Sequence, residues 1–218
     1  MRNPLDHVSG DFWKVTGDLD NVVRVLPEPG PGQRINPITG QLVAIREIDI
    51  QEIRKVADEK WGNPDREGSL RHAAESAALA IDSVGSYISE GWDGQDFIAF
   101  RTQLDSLKDA IHKLVSPAEE MSKALEQLAK ALETTITETI TTIAGFGGVI
   151  SALAGVAGSL AIFPDITVTK IAALIAAILT AIFSVIGLAN AIMKGVEQRQ
   201  TAVDGVVREC TELLGVLK

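Results

Sequence analysis

The fold is decided by residues 69–114, which read SLRHAAESAALAIDSVGSYISEGWDGQDFIAFRTQLDSLKDAIHKL. Apolar residues recur at alternating spacings of three and four on both sides of a turn, Gly91-Trp92-Asp93-Gly94. This heptad spacing is typical of helices that pack along a seam. Because each apolar stripe is the nearest partner for the other, the stretch predicts two antiparallel helices joined by a short turn. The two seams consist of Leu70, Ala74, Ala77, Ile81, Val84 and Ile88, and of Phe97, Phe100, Leu104, Leu107, Ile111 and Leu114.

The residues before this hairpin contain shorter and weaker patterns. Residues 9–26 predict an amphipathic helix with Ser9 as its N-cap, which the proline- and glycine-rich run 27–32 must end. In residues 35–45, a Thr39-Gly40 turn signal between apolar residues predicts a small β-hairpin or an irregular loop. Residues 49–61 predict another short helix that stops before Pro64.

A long apolar segment, residues 143–193, follows the hairpin. It contains only two charged residues, Asp165 and Lys170, and its uncharged runs exceed the ~20 residues that cross a bilayer. We expect two long helices, 117–162 with Ser116 as N-cap and 169–217, joined at a tip formed by Phe163, Pro164 and Asp165. The first run carries a face of small residues four apart, which allows close helix packing in lipid. This face consists of Ala144, Gly147, Gly148, Ser151, Ala152, Gly155 and Ser159.

The apolar segment has two interpretations. It enters a membrane, permanently or under some condition, or it is buried in the interior of a bundle or an oligomer. Glycines favour the membrane interpretation, because each destabilises a helix in water by about 1 kcal/mol relative to alanine.

Composition excludes several other functions. With 20 Lys and Arg against 29 Asp and Glu, the net charge is −9. The chain has no run of basic residues, so we expect it not to bind nucleic acid. The single Cys210 and three scattered histidines predict neither a disulfide nor a metal site. Since no phosphate-binding loop or catalytic dyad is evident, we expect no enzyme, no cofactor and no small-molecule substrate. The polar N-terminus predicts no cleaved signal peptide.

The tripeptide Trp92-Asp93-Gly94 between two helices, followed by Phe97 and Phe100, resembles the turn of the WXG-motif superfamily, the early-secreted-antigen type. The resemblance covers about residues 69–132. It implies antiparallel helical dimers, as homo-oligomers or with a WXG-type partner, and export by type VII secretion. The family's export signal, a tyrosine followed four residues later by an acid, is missing, since Gly91 stands at that distance from Tyr87. The resemblance therefore implies export with a partner that carries the signal, or by another route.

Together these patterns predict an all-α protein, an elongated antiparallel helical bundle with three parts. These are an N-terminal segment of short helices and loops (1–68), a WXG-like hairpin (69–135) and an apolar hairpin with an amphipathic C-terminal helix (136–218). The predicted function is that of a type VII secretion-associated protein, secreted or associated with the cell envelope. Its apolar hairpin would contact membrane lipid or drive oligomerisation, an architecture similar to α-helical pore-forming toxins. The alternatives are a scaffold module that binds a helical partner, and a resident two-span membrane protein.

Overall fold

The computed structural model describes residues 2–25, 37–156 and 165–216, and every regular element within them is helical. The all-α class is therefore confirmed. A short 3₁₀-helix (Pro4–His7) precedes α1, and π-helical turns (Ala57–Gly62) continue α3. The α-helices are α1 (Gly10–Val25), α2 (Ile38–Arg46), α3 (Ile50–Val56), α4 (Leu70–Ser89), α5 (Gln95–His112), α6 (Val115–Gly145), α7 (Gly147–Val156) and α8 (Asp165–Val216).

Contacts divide the chain into two compact units, one formed by Met1–Gln51 with Ala129–Asn190 and the other by Glu52–Leu128 with Ala191–Lys218. The long helices α6 and α8 contribute residues to both units. The division into parts 1–68, 69–135 and 136–218 stays a prediction.

In the first unit, α1 packs against α2 and α7. Ser9 caps α1 as predicted, because its hydroxyl accepts the amide of Phe12 at 3.4 Å. The side chain of Asn3 joins the N-terminal segment to α2 and the turn after it. Its amide group donates to the carbonyl oxygens of Ile45 at 2.9 Å and Ile48 at 3.0 Å. Apolar side chains from several elements form the buried interior, namely Leu5, Leu19, Val22, Ile38, Leu42, Ile143, Ile150, Ile178 and Ile182.

The prediction of a hairpin or loop in residues 35–45 is wrong, since this stretch contains helix α2. Pro37 precedes the helix and provides no side-chain cap. The carboxylate of Asp20, on α1, takes that role and accepts the amides of Ile38 at 2.5 Å and Thr39 at 3.1 Å. A cap supplied from another helix satisfies amides that a sequence pattern would leave without a partner.

In the second unit, α4 and α5 form the predicted helical hairpin. Helix α4 begins after Ser69, whose hydroxyl accepts the amide of His72 at 3.1 Å, as an N-cap should. Opposite charges join the two helices, since the ammonium of Lys108 lies 2.7 Å from the carboxylate of Asp82.

Two expected helix bounds downstream need correction. Helix α6 begins at Val115 rather than after Ser116, because the carbonyl of Leu114 already accepts the amide of Ala118 at 3.1 Å. The expected single helix over 117–162 is interrupted at Phe146, between α6 and α7. Three glycines surround this point, and glycine weakens a helix. Residues 157–162 lie outside the described part of the chain.

Candidate functional site

The turn between α4 and α5 depends on Gly94, the N-cap residue of α5. Its backbone has φ +100° and ψ −174°, a conformation that residues with a side chain rarely adopt. On the other side of the turn, the amides of Gly91 and Trp92 both donate to the carbonyl of Ile88, at 3.2 Å and 3.1 Å. The chain thus leaves α4 through a tight hydrogen-bonded end and enters α5 through a glycine.

Trp92 packs on the first turns of α5. Its ring centroid lies 6.1 Å from that of Phe97 and 5.4 Å from that of Phe100. The indole is still 41% exposed, and Asp93 is exposed beside it. The three aromatic rings, Trp92, Phe97 and Phe100, therefore form a small cluster at the closed end of the hairpin, part of which faces solvent.

Burial decreases along the hairpin from its open end to its turn. At the open end, Ala74 and Leu114 are buried with Val203 of α8, and Trp61, Leu70 and Val206 pack around them. An ion pair of 3.0 Å between Lys113 and Glu209 joins α8 to the same end.

Nearer the turn, large apolar side chains are open to water. Leu79 is 68% exposed, Tyr87 80% and Ile98 64%. Exposed apolar residues are ordinary when they are isolated, and these three are the most exposed large apolar side chains of the hairpin.

The predicted small-residue face on α6 and α7 is in part a packing surface. Gly147 contacts α1, since a Cβ atom placed on it would lie 3.4 Å from Cγ2 of Val15. Ser151 is exposed, and its hydroxyl donates to the carboxylate of Asp18 at 3.1 Å.

The remaining predicted positions of this face and tip fall into three groups. Ala144 and Gly148 are exposed. Ala152 and Gly155 belong to α7, and Asp165 is the first residue of α8. Ser159, Phe163 and Pro164 lie outside the described residues.

Helix α8 has the apolar character that the sequence predicts. Among the described residues, one helix, over Ala176–Gly215, is long and apolar enough to cross a membrane, and only 20% of its apolar window is buried. Ile178, Ile182 and Val185 lie on the buried side. The exposed residues are uncharged and mostly small or weakly polar, with two large apolar side chains among them, Ile186 and Met193. The small and weakly polar ones include Ala173, Ala176, Ala177, Thr180, Ser184, Gly187 and Asn190.

The hydroxyl groups of these long helices bond to their own backbones. On α8, Thr180 donates to the carbonyl of Ala176 and Ser184 to that of Thr180, both at 2.7 Å. Five threonines of α6 donate in the same way to the carbonyl four residues back, at 2.8–2.9 Å, namely Thr135, Thr137, Thr139, Thr141 and Thr142. Each of these hydroxyl protons therefore has an acceptor without water, as do Ser83 of α4 and Thr102 of α5.

The described residues include neither a group of potential metal ligands nor an activated cysteine. Over residues 2–25, 37–156 and 165–216, no three His, Cys, Asp or Glu side chains are grouped to hold a metal ion. Burial, together with the negative charge of Glu209, raises the pKa of the Cys210 thiol. A raised pKa keeps the thiol protonated near neutral pH, so Cys210 is a poor nucleophile.

Sequence reasoning missed the contact of α1 with the apolar segment. The available signal was the amphipathic face of residues 9–26, which must pack against something apolar. An amphipathic face does not indicate which segment it packs against, and the contacting residues Asp18 and Ser151 lie 133 residues apart in the sequence.

Comparison with known proteins gives one family. No curated protein and no solved structure matches the chain significantly. Residues 71–135 match the family model WXG100, described as proteins of 100 residues with WXG, in agreement with the resemblance predicted around Trp92 and Gly94. Proteins of this family are secreted helical proteins that commonly form homodimers or heterodimers. The similarity to WXG100 proteins of type VII secretion thus covers residues 71–135, which include most of the α4–α5 hairpin and part of α6.

Proposed function

We propose that this chain is a type VII secretion-associated protein that acts on membranes by inserting its apolar segment into a lipid bilayer. The exposed, uncharged side of α8 carries the proposal. The core helix of a soluble protein would be mostly buried, whereas only 20% of the apolar window of α8 is buried. Since residues 171–193 contain no charged side chain, the helix lacks the groups that oppose entry into hydrocarbon.

The internal bonds of the hydroxyl groups lower the polar cost of the proposed insertion. A hydroxyl that leaves water unpaired is strongly unfavourable in an apolar medium. Thr180 and Ser184 already donate to backbone carbonyls within α8, so their protons keep the same partners in water and in lipid. The free-energy cost of moving these two hydroxyl groups into a bilayer is therefore small.

A matched pair of threonines provides the experiment. Thr180 and Thr201 are both exposed on α8, and both donate to the carbonyl four residues back, but only Thr180 lies in the apolar segment. A lysine within a membrane-spanning helix costs about 2.5–3.5 kcal/mol. We expect Thr180→Lys to reduce flotation with phosphatidylcholine vesicles, and leakage of a dye from them, by at least about tenfold.

Thr201→Lys is the control for added charge and for altered helix propensity, and it should bind vesicles like the wild type. Circular dichroism checks that both variants keep their helix content in buffer. Equal losses in the two variants, or a wild-type protein that never floats with vesicles, would contradict the proposed function.

A second candidate function is partner binding through the hairpin, and the exposure of Leu79, Tyr87 and Ile98 favours it. WXG100 proteins commonly dimerise, so the candidate partner tested first is a second copy of this chain. Equilibrium sedimentation should then show a dimer of the 23.2 kDa chain. Leu79→Ala with Ile98→Ala should weaken that dimer by at least about tenfold, because each truncation removes apolar area that the interface would bury.

Val43→Ala is the matched control, since Val43 is an exposed aliphatic residue on α2, outside the hairpin. It should leave the association unchanged. A wild-type protein that sediments as a monomer at all concentrations would exclude self-association through this surface.

A further inference from the structure

We propose that helix α1 is a displaceable cover on α7, the beginning of the apolar segment, and that it holds the segment in its water-soluble form. The inference rests on the proposed membrane function and adds its regulation. Helices α1 and α7 belong to the same compact unit and pack directly on each other.

Two contacts fix α1 on the small-residue face of α7. Next to Gly147, Cγ2 and Cγ1 of Val15 lie 3.4 Å and 3.9 Å from the position of an added Cβ, so a methyl group would fit in van der Waals contact with Val15. One turn further along both helices, the carboxylate of Asp18 accepts the hydroxyl of Ser151 at 3.1 Å. The steps of three residues on α1 and four on α7 place both contacts on one side of each helix.

The apolar residues of α1 are buried between α1 and its neighbours, α7 and α2. Phe12, Leu19 and Val22 are all buried, and Ile150 of α7 is buried in the same unit. On the other side of α7, Val149 is 52% exposed. Helix α1 thus lies against one side of α7 while the opposite side stays open.

The N-terminal elements are joined to each other by their own bonds. Asp20 of α1 caps α2, and Arg46 of α2 pairs with Asp6 of the 3₁₀-helix at 3.0 Å. Trp13 of α1 lies under the guanidinium of Arg46, 6.0 Å from its ring centroid. These bonds do not involve α7, so α1 and α2 can leave α7 together without breaking them.

Packing of α1 and packing of another membrane helix both require the small-residue face of α7. In lipid, small residues such as Gly147 and Ser151 are the positions at which helices approach each other closely. While Val15 and Asp18 occupy these positions, no second membrane helix can pack there. The polar part of this contact is a single exposed hydrogen bond, which water can replace at little cost, so the burial of apolar side chains such as Leu19 and Val22 is what holds α1 in place.

Two adjacent glycines provide the test. Gly147→Leu places a large side chain against Val15 and should push α1 away, whereas a Cβ at Gly148 meets nothing within 4 Å. Both changes add the same apolar group to α7 and raise its helix propensity equally. We expect Gly147→Leu to bind phosphatidylcholine vesicles about tenfold more tightly than Gly148→Leu, in line with the usual effect of overpacking.

If Gly147→Leu fails to fold, a cross-link that keeps α1 packed on α7 tests the proposal instead. In a Cys210→Ser background, Val15→Cys with Gly147→Cys should form a disulfide that holds α1 on α7. The oxidised protein should lose vesicle binding and the reduced protein should regain it. Equal binding by the oxidised and reduced forms, or by the two leucine variants, would overturn the cover while leaving membrane insertion intact. If no form binds vesicles, the wild type included, both proposals fail.

Discussion

At the scale of single residues, Gly94 determines how the hairpin reverses. Its φ of +100° is strained for any residue with a Cβ atom, although nothing lies within 4 Å of the position that atom would occupy. The strain is therefore purely one of backbone conformation. We expect Gly94→Ala to destabilise the hairpin by about 1–2 kcal/mol, measured as a lower urea midpoint for the loss of helical circular dichroism.

Gly91 is the control for this prediction, because it lies in the same turn, is also open to space and has no positive φ. Gly91→Ala should be neutral or slightly stabilising, since alanine restricts the unfolded chain without strain in the folded one. Equal midpoints for the two variants would mean that the turn relaxes to another conformation at Gly94.

At the scale of elements, prediction from sequence succeeds where a pattern is long and local. The heptads of α4 and α5 extend over several turns, and the observed bounds Leu70–Ser89 and Gln95–His112 agree with the pattern to within a few residues. Their caps are local as well, because Ser69 and Gly94 act on the helices that follow them. The turn of the candidate site could therefore be predicted together with the hairpin.

Prediction fails where an element depends on a distant residue. Helix α2 is nine residues long, too short for a clear periodicity, and its cap is Asp20 of another helix. The Thr39-Gly40 pair that indicates a turn by composition therefore lies inside a helix. The same limit applies to the apolar segment, since its small-residue face was visible in the sequence but the partner on it, α1, was not.

At the scale of the whole molecule, charge and apolar character are separated along the chain. The apolar segment contains two of the 49 charged residues, Asp165 and Lys170, whose charges cancel, so the rest of the chain carries the whole net charge of −9. A protein with this distribution can bring an uncharged segment to a membrane while the remaining surface repels an anionic one. Long-range repulsion and local insertion thus act on different parts of the same chain.

This separation predicts a pH dependence that differs between lipids. At pH 7 the negative chain should bind vesicles containing phosphatidylglycerol more weakly than phosphatidylcholine vesicles, because like charges repel. As pH falls towards the isoelectric point of about 4.9, carboxylates gain protons and the net charge approaches zero, so the difference should disappear. Flotation with both vesicle types at pH 7 and pH 5 measures it, and added salt at pH 7 should reduce it in the same direction. Tighter binding to the anionic vesicles at pH 7 would instead show that a local basic surface, and not the net charge, governs the approach to the membrane.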